Sequence, residues 1–158
     1  RFPHRERRRV KFGNLRVSQA KGCVLAHATM AGTQKIKKGT RLSAEHIQML
    51  AGSGVTEIVA AKLDPGDVPE DEAARRVSAA LCGDQIEMGQ AATGRVNLYA
   101  KRNGIFLVEK ASIDRLNRID PAITFATLPQ FAPVTAGQMV ATAKIIPLAV
   151  AGRSLDEI

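Results

Sequence analysis

Residues 37–58 carry the clearest succession of start and stop signals in the chain, and these signals restrict how it can fold. Gly39 supplies a turn. Ser43 is placed as a helix N-cap, and the acidic Glu45 lies in the first turn, where the helix dipole favours negative charge. Gly54 ends the helix because glycine adopts the left-handed conformation at little cost. The stretch predicts a turn, a short strand, a capped helix and a second strand.

The same stretch has the periodicity of elements that bury one face. Ile47, Leu50 and Ala51 recur at spacings of three and four residues, which places them on one side of the helix. Residues 55–59 are rich in β-branched side chains and predict a buried strand. Upstream, a short strand, a turn at residues 21–22 and a strand over residues 23–28 complete a small β-rich unit.

An irregular connection over residues 63–69 separates this unit from the rest of the chain, because it contains Pro-Gly and Val-Pro pairs. The acidic cluster at its end lacks the alternating pattern of a calcium loop. Pro69 and the three acidic residues after it instead predict the first turn of a helix. That helix is expected to run to residue 81 or 82, with an inner face formed by Ala73, Val77, Ala80 and Leu81.

Residues 84–150 predict a second sheet with one more short helix. A hairpin signal at residues 102–104 precedes a continuous apolar run, which is typical of a central strand. Ser154 is placed to cap a helix near the end. The fold class is therefore α+β: a small β-rich unit with a capped helix, then a second mixed sheet with two short helices. The elements expected here are strands over residues 85–91, 95–100, 105–108, 123–128 and 139–148, an extended segment over 131–134 and a helix over 111–119.

The net charge of +8 invites a nucleic-acid interpretation, but its position argues against one. Residues 1–11 contain six Lys or Arg and one acidic residue, so they hold five of the eight net charges. The remainder of the chain carries only +3. A basic tail over residues 1–10, expected to be disordered, accounts for most of the charge. We therefore do not expect nucleic acid as a partner, and a phosphate-binding arm is the alternative for the tail.

Motifs that are absent restrict the function further. The sequence has no Walker A motif, no dinucleotide fingerprint, no HExxH and no GxSxG. His27 has no partner at metal-ligand spacing. Cys23 and Cys82 lack CxxC spacing, so we expect small buried thiols in a reduced, cytoplasmic protein. No apolar run reaches the ~18 residues of a membrane span. We expect no catalytic site, no metal site and no membrane in the function of this chain.

Residues 93–99 are the most site-like stretch. If strand alternation holds, Arg95, Asn97 and Tyr99 share one face, with roughly 7 Å between successive members. Arg binds phosphate or carboxylate with two donors, Asn donates and accepts, and Tyr stacks or donates, so the row suits a phosphorylated heterocycle. The alternative is the polar solvent face of an antiparallel sheet. The ligand-binding candidates are Thr93, Gly94, Arg95, Asn97, Tyr99 and Lys144.

A second candidate is a helix–strand junction that contains Asn117, Asp120, Thr124 and Thr127. Asp120 precedes a proline, where Asx side chains bond their own backbone, so a turn role is the alternative. Lys144 lies on the last long strand, where an anionic ligand or solvent is its expected partner.

Two sets of motifs resemble known proteins. Gly39-Thr40-x-Leu42, a short helix and Gly54-Val55-x-Glu57-Ile58 resemble a segment of the gephyrin-like molybdenum insertases, where it directly precedes the molybdopterin-binding domain. The later motifs are more specific, and they are similar to the bacterial molybdopterin-binding proteins that often carry a C-terminal nucleotidyltransferase-like domain. The resemblance covers roughly residues 11–150. The later motifs are TGRVNLYA (93–100), LNRID (116–120), ITFATLP (123–129) and AGQMVATAKIIP (136–147).

The resemblance implies the N-terminal module of a molybdenum cofactor biosynthesis protein. Molybdopterin is the implied cofactor, held mainly by a C-terminal domain that is missing here. The module would help bind or present molybdopterin to that domain or to a second copy, as in a homo-oligomer. No catalytic residue carries over onto these positions, although the parent protein would be a molybdenumtransferase or a cytidylyltransferase-like enzyme.

The expected organisation follows from these segments. Residues 1–10 form the tail, 11–63 the insertase-like unit, 69–150 the second α+β unit, and 151–158 the start of a helix leading to the missing domain. Two alternatives remain. One is an enzyme of the same pathway, for molybdenum insertion or nucleotidyl transfer, complete in this chain. The other is a nucleic-acid-binding module that uses the Arg-rich tail.

Overall fold

The computed structural model describes residues 11–158, and the basic tail lies outside the described residues. The chain divides between Asp64 and Pro65 into two compact units. The described part contains four helices and several small sheets, which confirms the α+β class. Every strand pair in it is antiparallel, so the sheet of the second unit is antiparallel throughout rather than mixed.

The first unit is a small sheet with one helix. Strand β5 lies between β1 and β2, while β3 and β4 form a separate hairpin. The strand predicted over residues 23–28 is only two residues long, and the hairpin over residues 29–36 was not predicted. The elements are β1 Lys11–Arg16, a 3-10 turn at Val17–Gln19, β2 Val24–Leu25, β3 Thr29–Ala31, β4 Gln34–Ile36, α1 Ala44–Gly52 and β5 Glu57–Lys62.

Helix α1 begins where its capping residue predicts. The backbone N–H of His46 donates to the Ser43 hydroxyl at 3.3 Å, and the backbone N–H of Ser43 donates to Nδ1 of His46 at 3.1 Å. An imidazole thus takes the place of the Glu or Gln that usually completes such a capping box. Leu50 is buried, but Ala51 is exposed, so the predicted inner face is wrong at Ala51. Ile47 and Met49 flank Leu50 instead.

The second unit is a four-stranded sheet with helices on one face. Its strand order is β10-β12-β8-β7. Helix α2 packs on β8 and β12, and α3 packs on β10. The elements are β6 Asp67–Pro69, α2 Glu70–Leu81, β7 Ile86–Met88, β8 Arg95–Ala100, β9 Gly104–Ile105, α3 Lys110–Ile119, β10 Ile123–Thr127, β11 Pro133–Val134, β12 Met139–Ile145, β13 Ala149–Ala151 and α4 Gly152–Asp156.

Three predicted features of this unit differ from the strand pairing in the structure. The irregular connection contains β6, which pairs with β13. Residues 105–108 form no central strand: β9 pairs only with β11, and Leu107 is 71% exposed. β8 does not form the predicted hairpin with β9, because β8 lies between β12 and β7. A short apolar run carries no information about which strand will pair with it.

Two predicted details of the helices in this unit also differ from the structure: the inner face of α2 and the cap of α4. The predicted Ala80 is exposed, and the buried residues of α2 are Glu70, Ala73, Ala74, Val77 and Ser78. Ser154 lies inside α4 and does not cap it, because Ala151 occupies the N-cap position.

The core of each unit is mainly aliphatic. In the first unit, Cys23 is buried as predicted, and in the second unit the half-buried Cys82 packs against the core. Phe125 is the one aromatic residue in the buried cluster of the second unit. On the surface of α3 the Lys110 ammonium lies 2.5 Å from a carboxylate oxygen of Asp114, and this bond holds the pKa of that carboxyl below its usual value. Within residues 11–158, no helix is long and apolar enough to cross a bilayer.

Candidate functional site

The face of the second sheet that points away from the helices carries the predicted row. Val96, Leu98 and Ala100 are buried, and the side chains between them lie on the opposite face. Arg95 is exposed, while Asn97 and Tyr99 are half-buried. The expected alternation is therefore present. It follows from the packing of α2 and α3, which cover only the apolar side of the sheet.

The row starts at a tight turn between a bridged pair, Ala92 and Arg95. Their backbone N–H and C=O groups exchange two hydrogen bonds, at 3.0 and 3.1 Å. The two residues between them, Thr93 and Gly94, both have positive φ, 50° and 70°. This sign pattern is that of a type I′ turn, which fits the twist of the flanking strands. Glycine suits it, but a β-branched residue such as threonine is strained there.

The turn is held from both sides. The Gly94 N–H donates to Oδ1 of Asp71 at 2.6 Å, so the turn is tied to the first turn of α2. The Lys144 ammonium donates to the Thr93 carbonyl. A Cβ added to Gly94 would lie 2.8 Å from the Ile145 carbonyl oxygen and 3.0 Å from a Glu70 carboxylate oxygen. Gly94 is therefore required by both its conformation and its surroundings.

Two predicted cations face each other across the strands. Lys144 of β12 pairs with Arg95 of β8, and Thr124 of β10 pairs with Lys144 on its other side. The Ile145 N–H donates to the Gly94 carbonyl at 2.7 Å, which makes Arg95 and Lys144 a non-hydrogen-bonded pair. Such pairs bring Cα atoms to ~4.5 Å, the closer of the two spacings in an antiparallel ladder. Two positive charges thus lie side by side on this face.

The middle of the row is a small polar network. The Thr142 hydroxyl donates to Oδ1 of Asn97 at 2.9 Å, and the Asn97 amide donates to the Tyr99 hydroxyl at 3.3 Å. Thr142 was not singled out from the sequence. It lies two residues from Lys144 on the same strand, so the period of two could have identified it. The network fixes the orientation of the Asn97 amide.

The second predicted constellation does not converge on a ligand position. Asn117 bonds the backbone of Phe125 twice: its amide donates to the carbonyl at 2.9 Å, and its carbonyl accepts the N–H at 2.8 Å. Asp120 accepts from the Ala122 N–H at 2.9 Å, an Asx turn, and from the Ser154 hydroxyl at 2.9 Å. The turn role considered from the sequence accounts for Asp120.

An apolar cavity of about 590 Å³ lies over the inner face of the same sheet, away from the polar row. Cavities of this size and lining accept apolar ligands or the apolar side chains of a partner. Its floor includes Leu98, Phe125 and Val140, and its walls include Leu81, Ile113 and residues 102–109. The residues of the polar row do not line it, whereas Thr127 of the second predicted constellation does.

The other candidate residues are less suited to binding a metal ion or a ligand. In the part of the chain that the structure describes, no group of three or more His, Cys, Asp or Glu is placed to hold a metal ion. His27 is exposed and lines a shallow depression with Asn14 and Glu57. The Arg-rich tail lies outside the described residues, so its predicted roles have no structural counterpart.

Comparison with known proteins gives one match. A family described as a domain of unknown function (DUF8806) matches residues 14–62, about a third of the chain. The matched residues lie in the first unit. No curated protein and no solved structure matches the chain.

Proposed function

We propose that this chain is a non-catalytic module of a molybdenum cofactor biosynthesis protein, and that it helps bind or present molybdopterin to an adjoining domain. The structural observation that supports this is the polar face of the second sheet, where Arg95, Asn97, Tyr99 and Lys144 lie on neighbouring strands. Molybdopterin combines a flat heterocycle with a phosphate, and this row offers an aromatic ring, an oriented amide and two cations.

The sequence resemblance supports the same proposal. One of the more specific later motifs, residues 93–100, forms the tight turn and the strand that carry this row. We further propose that the protein acts in the cytoplasm and that a second copy or a C-terminal domain covers the polar face. The pterin would then be shared between this module and its neighbour.

The test compares two proteins purified from a host that makes molybdopterin: this chain alone, and the chain followed by its natural downstream sequence. The pterin content is measured by fluorescence after oxidation. We expect no turnover and sub-stoichiometric pterin in the chain alone, and about one pterin per molecule in the longer protein. Tight stoichiometric binding by these 158 residues alone would show that the pocket has been placed wrongly.

A pair of aromatic variants in the longer protein tests whether the polar row takes part. Tyr99→Ala removes a half-buried ring from the row, and we expect it to lower the affinity for pterin about tenfold, in line with the loss of one stacking contact. Phe131→Ala is the matched control, because Phe131 is an exposed aromatic residue outside the row. Equal affinities of both variants and the parent would contradict the proposal.

A further inference from the structure

Thr93 is held in a conformation that its residue type disfavours. Its φ of 50° lies in the left-handed region, where a β-branched side chain is an outlier. Strain of this kind persists only where the surrounding structure enforces it, and it is concentrated at ligand sites. Here the enforcing contacts are the bond from Gly94 to Asp71 and the bond from Lys144 to the Thr93 carbonyl.

This turn fixes the position of the Lys144 ammonium group through the Thr93 carbonyl. The Thr93 carbonyl accepts one of the three N–H donors of Lys144, which leaves two for a ligand. Beside it, the exposed Arg95 side chain forms no hydrogen bond and no ion pair with the other residues described, 11–158, since its hydrogen bonds with Ala92 involve the backbone alone. Its whole guanidinium fork is therefore available.

Neither cation takes part in the surface ion pairs Arg76–Glu72, Lys110–Asp114 and Arg115–Glu109. Two acidic residues of α2 lie at the turn. Asp71 accepts the Gly94 N–H, and a Glu70 carboxylate oxygen lies 3.0 Å from where a Cβ on Gly94 would be. Like charges directly opposite each other in a ladder destabilise the sheet, and an anion bound between them reverses the sign of that interaction.

We propose that Arg95 and Lys144 form a binding site for the phosphate monoester group of a small molecule, with the exposed Thr93 and Thr124 beside them. A dianionic, tetrahedral group matches two cations that reach it from neighbouring strands, whereas a carboxylate would balance only one of them. The inference deepens the proposed function, and it rests on that function only for the identity of the molecule that carries the phosphate.

The experiment titrates the 158-residue chain with inorganic phosphate at constant ionic strength and follows its backbone amides by NMR. We expect saturable shifts centred on residues 93–95 and 144. Acetate, a monoanion, should bind at least about tenfold more weakly at the same sites. A single-stranded oligonucleotide tests the phosphodiester source: tighter binding of it than of phosphate at these amides would overturn the monoester assignment.

Variants separate the site from general positive charge. Arg95→Gln should weaken phosphate binding at least about tenfold. The substitution keeps both backbone hydrogen bonds with Ala92, so we expect this variant to keep the fold. Lys144→Gln should have a similar effect. The matched control is Lys101→Gln, a lysine of the same unit that donates to the Asp84 carbonyl at 2.9 Å, and this variant should bind phosphate as the parent does. Loss of affinity in all three variants, or in none, would overturn the inference.

The two proposals can fail separately. If phosphate shifts no amide in the row while the longer protein still holds molybdopterin, the phosphate site is wrong and the function stands. If phosphate binds as described but the longer protein holds no pterin, the site stands and the ligand belongs to another class of phosphorylated small molecule.

Discussion

At the scale of single residues, the turn at Thr93 and Gly94 combines one well-suited residue with one poorly suited residue. Asparagine is the preferred partner of glycine in a type I′ turn because it tolerates positive φ. We expect Thr93→Asn to raise the free energy of unfolding by about 0.5–1 kcal/mol, while the backbone carbonyl that Lys144 bonds is retained. Chemical denaturation measures the change. A destabilised Asn variant would show that the threonine side chain contributes a contact that offsets its strain.

At Gly94 we expect a substitution to destabilise the turn rather than to stabilise it. Gly94→Ala places a Cβ 2.8 Å from a carbonyl oxygen at φ +70°, so we expect a loss of about 2–4 kcal/mol in the free energy of unfolding. Gly137→Ala is the matched control, since Gly137 has φ +80° with no atom within 4 Å of the added carbon. The control should lose only the conformational term, about 1–2 kcal/mol. Equal losses would mean that the crowding around Gly94 relaxes freely.

The row itself was predictable at this scale, and its surroundings were not. The alternation of Arg95, Asn97 and Tyr99 is a local property of one strand, so the sequence contained it. The position of Lys144 beside Arg95 depends on a register between β8 and β12 that no local pattern encodes. The same holds for the bonds from Asn117 to Phe125, which join residues of a helix and a strand.

At the scale of elements, α1 depends on its first turn. Ser43→Ala removes the acceptor for the His46 N–H, and we expect it to lower the free energy of unfolding of the first unit by about 1 kcal/mol. Ser18→Ala changes an exposed serine outside the cap and serves as the control. The measurement is denaturant unfolding monitored by circular dichroism.

Two variants of His46 test the other hydrogen bond of the capping box, from the Ser43 N–H to the imidazole. His46→Gln keeps a side-chain acceptor at the third helical position and should be close to neutral, whereas His46→Ala should cost a few tenths to about 1 kcal/mol. An equally destabilised glutamine variant would indicate that the imidazole contributes more than its hydrogen bond to the Ser43 N–H.

Element prediction was most accurate where start and stop signals agreed with periodicity. Helix α1, with Ser43 as its cap, and strand β8 satisfied both conditions. The apolar run over residues 105–108 had the composition of a strand but no alternation. Its structure depends on pairing with β11, which only its first residue, Ile105, takes part in. Short hairpins such as β3–β4 contain too few apolar residues to show a period at all.

At the scale of the whole molecule, each unit has its own buried cluster. The cluster of the first unit includes Leu25, Leu42 and Leu50, and that of the second includes Val96, Phe125 and Ile145. We therefore expect residues 65–158, expressed without the preceding residues, to fold and to protect the amides of β8 and β12 from hydrogen exchange. Unprotected amides throughout those strands would show that the second core needs the first unit.

The side chain of Asn117 has a consequence for how this molecule behaves in concentrated solution. Strand β10 is the outermost strand on its side of the sheet, and the backbone groups of Phe125 that point outward are both taken by Asn117. The outward N–H of Ile123 is taken by the Asp120 carbonyl at 2.9 Å. Another polypeptide approaching that margin meets no vacant backbone donor at Ile123 or Phe125 and no vacant acceptor at Phe125, so it cannot extend the ladder there and start a fibrous aggregate.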